Sequence, residues 1–83
     1  MRHTYVVIGA KWFDKANGNT YCNAKVIDTF TNDIFYIGFQ YGYGDHWFDK
    51  ALEFIVDTDP AYGKVIKGGC FNIGYRDLKA NRF

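Results

Sequence analysis

Asn17-Gly18 lies between two stretches of alternating apolar and polar residues, and it limits what the chain can fold into more than any other step. Both residue types accept positive φ, so Asn-Gly flanked by strand-forming residues predicts a tight β-hairpin. The spacing predicts antiparallel strands over Thr4 to Phe13 and Thr20 to Asp28, with Asp14 to Asn19 as the turn. In the first strand Thr4, Val6, Ile8, Ala10 and Trp12 share one face, and Tyr5, Val7, Gly9, Lys11 and Phe13 share the other. In the second, Thr20, Cys22, Ala24 and Val26 make a face of small side chains, suited to lie under something bulky.

Downstream, Ile34 to Tyr41 predicts a third strand, with Phe35, Ile37, Phe39 and Tyr41 on its core face. Gly38 in mid-strand predicts a bulge or a close approach. Gly42-Tyr43-Gly44 turns the chain, and Asp45 is a suitable N-cap. His46 to about Asp57 has helical spacing: Phe48, Ala51, Leu52 and Ile55 form the stripe, with Trp47 and Phe54 at its edges. A short strand over Gly63 to Lys67, a Gly68-Gly69 turn and a strand over Cys70 to Leu78 follow, then a frayed or docking tail. The expected fold is α+β, one domain over residues 1–83: an antiparallel sheet of four to five strands with one helix packed on a face, in the order β-β-β-α-β-β.

Composition narrows the function. A 20% aromatic fraction exceeds what a core of 83 residues needs, so some Tyr and Trp are expected at a ligand or partner surface. Net charge is +1, with residues 1–27 at +3, 28–59 at −6 and 60–83 at +4. That argues against a generic DNA binder and against an acidic DNA mimic, so a nucleic-acid partner is not expected. No segment approaches the roughly 20 apolar residues of a membrane span, and no signal peptide is visible in a start that reads Met1-Arg2-His3-Thr4. Cys22 and Cys70 lack C-x-x-C spacing and are expected as buried, reduced thiols of a cytoplasmic protein.

Catalysis finds little support. There is no Ser, and Glu53 is the only Glu. Asp45, His46 and Asp49 lack metal-ligand spacing. No cofactor is expected, and the chain is expected not to be an enzyme. Two clusters point instead to binding. Gly42-x-Gly44 ahead of a helix offers backbone N–H groups, with Tyr41, Tyr43 and His46 beside it. The hairpin offers Lys11 for a phosphate, Trp12 for stacking and Asn19 for polar edges. The expected ligand-binding residues are therefore Lys11, Trp12, Asn19, Tyr41, Tyr43 and His46.

These clusters together resemble a family of small bacteriophage proteins of uncharacterised activity. The matching residues are Lys11, Trp12, Phe13, Lys15, Gly18, Asn19, Thr20 and Tyr21, then Phe39, Tyr41, Gly42, Tyr43, Gly44 and Asp45. The likeness covers about half of the chain and departs at Cys22-Asn23, where the family has His-Ser. It implies a phage accessory protein acting in the host cytoplasm. With the two clusters, it gives the expectation of a non-enzymatic anti-defence protein that sequesters a small nucleotide-type signal molecule. The alternative is a protein–protein inhibitor of a host immune effector, such as an anti-CRISPR. So small a domain has little room for a deep pocket, so a homo-oligomer is expected.

Overall fold

A computed structural model describes residues 2–83; Met1, part of the start read above, lies outside them. Strands β1 (Thr4–Asp14), β2 (Asn19–Asp28) and β3 (Asp33–Tyr41) precede helix α1 (His46–Thr58), strand β4 (Lys64–Asn72) and the short helix α2 (Tyr75–Lys79). The fold is α+β, with one sheet of order β3-β2-β1-β4.

Both hairpins use the same local chemistry. Each begins with an Asp and returns through a residue at positive φ: Gly18 (φ 68°) in the first loop, Asn32 (φ 64°) in the second. Gly18 N–H donates to Asp14 O at 2.7 Å, and Asn32 N–H to Asp28 O at 2.7 Å. The Asp14 carboxylate accepts from Ala16 N and Asn17 N, and Asp28 accepts from Phe30 N at 2.9 Å. These are the local side-chain turns that Asp forms readily. Only Gly18 of the Asn17-Gly18 pair takes positive φ, and the Asp14–Asn19 pair closes a loop of four residues within the expected turn.

The sheet is mixed, not purely antiparallel. β1 pairs antiparallel with β2, and β2 with β3, but β4 runs parallel to β1. The helix explains this. β3 ends at the same end of the sheet as β1, and thirteen residues of α1 carry the chain back by about 20 Å. β4 then starts beside the start of β1, where Gly63 N–H donates to His3 O at 2.8 Å. Gly68-Gly69 does not turn the chain. It is an extra residue inside one strand, because Val7 pairs Lys67 while Gly9 pairs Cys70. A Cβ at Gly68 would come within 2.7 Å of Val7 O, which explains the glycine there. The expected strand over Cys70 to Leu78 stops at Asn72 and is replaced by α2.

Helix α1 covers one sheet face. Tyr5, Val7, Cys22, Ala24 and Val26 lie under Trp47, Ala51 and Ile55, with Phe35, Ile37, Phe48 and Phe54 around them. The small β2 residues do sit beneath bulky ones. The helix is turned by one position from its expected orientation: Trp47 is central, only 2% exposed, while Phe48 and Leu52 are half-buried. Gly9 makes room for it, since a Cβ there would meet the indole at 2.3 Å.

β3 carries the bulge that Gly38 predicts. Ala24 pairs Ile37 but Cys22 pairs Gln40, so β3 has one residue too many opposite Asn23. The extra residue reverses the alternation. Phe35 and Ile37 face α1, whereas Phe39 and Tyr41 face the opposite side beside Tyr21. The four therefore do not share the core face. On that second face α2 is pinned by buried Leu78 and by Asn23, whose Nδ2 donates to Leu78 O (2.5 Å) and Asn81 Oδ1 (2.7 Å). Asn81 at φ 59° ends the helix: its N–H donates to Leu78 O, and Arg82 N–H to Asp77 O, a Schellman closure. The tail then docks Phe83 against Tyr36 and Lys25.

Candidate binding surface

Strand register builds an aromatic platform on the second face, at the end where β1 meets its hairpin. Tyr41 lies opposite Tyr21, and Tyr21 opposite Trp12, so three rings cross three strands in one row. Trp12 and Tyr21 stack with centroids 5.9 Å apart and planes 25° apart. Phe39, delivered by the bulge, stacks on Tyr21 at 5.0 Å and 16°. Tyr75 of α2 leans on Trp12 at 4.8 Å and meets Phe39 edge-on at 5.7 Å. At the rim the Tyr41 hydroxyl donates to Asn19 Oδ1 at 3.2 Å and lies 2.8 Å from the Tyr43 hydroxyl. The bond to Tyr43 pushes the Tyr41 phenol above its ordinary pKa. Buried area, stacking and aligned hydroxyls thus hold the rings in a fixed pattern, with Tyr43 59% exposed.

Four of the six expected residues meet here: Trp12, Asn19, Tyr41 and Tyr43. Tyr21 and Phe39, which the sequence marks only through the family likeness, and Tyr75 join them from outside the expected set. The hairpin register carries the signal for Tyr21, since an Asp14–Asn19 closing pair sets Tyr21 across from Trp12. Tyr75 had no such signal, because its position depends on α2 replacing a strand.

Lys11 and His46 are on the other side of the sheet. Lys11 alternates with Trp12 and so faces α1. The His46 ring packs over Gly42, where a Cβ would come within 2.4 Å of it, so that glycine has a steric role. Asp45 holds the N-cap position but its carboxylate makes no cap bond. It pairs instead with Lys67 Nζ at 2.5 Å, which keeps its pKa below the ordinary carboxylate value. No single ligand can use all six residues from one side.

The opposite end of the molecule holds a cleft of about 510 Å³ between α1 and the sheet. Phe35, Phe54 and Ile55 supply apolar wall, and Asp28, Asp33 and Asp59 supply carboxylates. Asp28 is buried against His3, whose Nδ1 lies 2.6 Å from Asp28 Oδ2. Burial pushes the Asp28 pKa up, but the His3 bond and the Phe30 N–H outweigh it and the net shift is downward. The Tyr5 phenol, buried and donating to Asp59 at 3.1 Å, is pushed up to about 12. Arg2 and His3 also line the cleft, but its three carboxylates outnumber that one fixed cation and α1 turns its C-terminal end toward it, so the cleft disfavours a phosphate. None of the six expected residues lines it.

Neither thiol is poised for attack. Cys22 is buried as expected, but Cys70 is exposed, and partial burial still pushes both above the ordinary thiol pKa. Among the described residues no group of three or more His, Cys, Asp or Glu is placed to hold a metal ion, and no helix is long and apolar enough to cross a membrane. No protein-family model matches the chain, and no curated protein or solved structure matches it either.

Proposed function

We propose that the chain is a non-enzymatic binding protein, phage-encoded and directed against a host defence, and that the aromatic platform is its partner-binding surface. One observation carries the reading: rings from three strands and α2 are locked together on the sheet face away from α1, with the hydroxyl rim of Tyr41 and Tyr43 left in solvent. Pre-ordered Tyr and Trp make effective protein contacts because little side-chain freedom is lost on binding. The platform is an open surface, not an enclosing cavity, which favours a host protein in the host cytoplasm as partner over a small molecule.

The test is capture from host lysate with the wild-type chain and with Tyr43→Ala and Tyr75→Ala. The expected result is one protein at fixed stoichiometry, reduced at least about tenfold by either variant. Equal capture by all three chains would overturn the reading.

A nucleotide-type ligand is the second reading, favoured by the cations that α2 places beside the platform. A hollow of about 350 Å³ is lined by Tyr75, Arg76, Lys79 and Ala80, and Lys79 Nζ lies 5.9 Å from the Tyr75 ring centroid. A base stacked on the rings could set its phosphate there. A thermal shift against linear and cyclic nucleotides, abolished by Lys79→Ala, supports it. No shift with any of them at about millimolar concentration excludes it.

A further inference from the structure

The second sheet face is only half covered. Platform, α2 and tail occupy one half. The other half carries a single row that crosses all four strands: Ile34, Ile27, Val6 and Ile66, each paired directly with the next. Positions that face water on a one-sided sheet are ordinarily polar. Here the row has no hydrogen-bonding side chain, and Ile34 and Ile66 at its ends are 49% and 42% exposed. Ile8 and Tyr36 lie in the next row on either side of Lys25, whose amine is turned to the Phe83 carbonyl, and Phe71 leans back over Gly69 to extend the apolar surface.

We infer that this row is the contact face of a homodimer, in which two copies pack sheet against sheet with their α1 helices outermost. A second copy fits because it presents the same neutral, flat row. Two-fold pairing then sets aliphatic against aliphatic, with Lys25 and Lys64 of the flanking rows at the rim of the patch. A foreign surface would have to supply an unbroken apolar strip of the same width. Edge-to-edge association is blocked, since both edge strands, β3 and β4, are interrupted by bulges. The exposed part of the patch amounts to roughly 500 Å² per copy, so a pair removes about 1,000 Å² from water, the lower limit of a specific interface. An interface of that size belongs to the weak, transient class, so association is expected only at raised protein concentration. The tail sets the limit of the overlap, because Phe83 rises from the neighbouring row over Lys25 and Tyr36.

Sedimentation velocity of the whole chain from about 1 μM to about 1 mM tests this. Wild type is expected to pass from monomer to dimer across that range. Ile34→Lys and Ile66→Lys are each expected to weaken the dimer at least about tenfold while far-UV circular dichroism stays unchanged. Ile66→Thr keeps a β-branched side chain and is expected to weaken it by a smaller factor, so the point can still be decided if a lysine is not tolerated. Tyr43→Ala, outside the row, is expected to leave the dimer intact, which separates this face from the platform. A wild type that stays monomeric throughout, or folded Ile34 and Ile66 variants that dimerise as tightly as wild type, would overturn the inference.

Discussion

The two faces of the sheet reach burial by opposite routes. Beneath α1 the middle of the sheet supplies small residues, Gly9, Cys22, Ala24 and Val26, ringed by Tyr5, Phe35 and Ile37, and the helix fills the centre with Trp47 and Ile55. On the other face the strands supply the bulk themselves, in Trp12, Tyr21, Phe39 and the isoleucine row, and the covering element is a five-residue helix with a short tail. One face is therefore closed and the other is open by construction. Stability resides mainly in the first, and the surfaces available to partners lie on the second.

The sharpest way to break this contrast is to remove the bulk from the closed face. Trp47→Ala should cost about 3–5 kcal/mol, which is most of what so small a domain has, so far-UV circular dichroism is expected to show a largely unfolded chain. Adding bulk under the same ring should also harm. Gly9→Ala is expected to cost about 1–3 kcal/mol in urea titration, because its methyl group enters the indole. Gly9→Ala in a Trp47→Leu background should cost clearly less, since the clash has gone; additive costs would show that the ring does not set the requirement for glycine.

On the open face, Leu78→Ala should cost about 2 kcal/mol, as Leu78 is the one fully buried side chain of α2. A cost equal to that of Trp47→Ala would end the distinction between the faces. Asp28 concerns the rim of the closed face. Its folded-state pKa lies below the unfolded value, so it stabilises the fold above about pH 4 and loses that effect as pH falls through the folded value. Asp28→Asn should cost about 1 kcal/mol near neutrality by weakening the buried bond to His3. The difference from wild type should narrow on acidification in a pH series of thermal melts. Smallest of all, Tyr43→Ala should move stability by less than about 0.5 kcal/mol while still impairing partner capture.

Much of this was legible from residue order, and the exceptions have physical causes. Asn17-Gly18 and the alternation around it give the first hairpin, and Gly38 marks the bulge. Carrying that bulge through to the faces would have placed Phe39 and Tyr41 with Tyr21 rather than with Phe35. The parallel placement of β4 is a non-local outcome of where α1 delivers the chain, and no short pattern encodes it. Gly68-Gly69 reads as a turn because a bulge calls for the same residue. At the site, Trp12, Asn19, Tyr41 and Tyr43 were found by residue type and then gathered by register. Lys11 and His46 are neighbours of these residues in sequence only: a strand sends Lys11 to the face opposite Trp12, and His46 leaves with α1, its ring over Gly42. The acidic cleft has no signature in residue order, since its lining comes from the N-terminal residues, the β2–β3 loop with its flanks and the end of α1.

The twin Asp-anchored loops bear on the order in which the molecule assembles. Each closes its hairpin over four residues, so β1, β2 and β3 can zip together quickly and with little loss of chain entropy. β4 is different, because Thr4 meets Lys64 only after nearly the whole chain has been made. The three-stranded meander must therefore exist for a time with its small-residue face bare and the β1 edge unpaired. The docking of α1 and β4 makes the long-range contacts that topology slows most, and it is what covers the small-residue face.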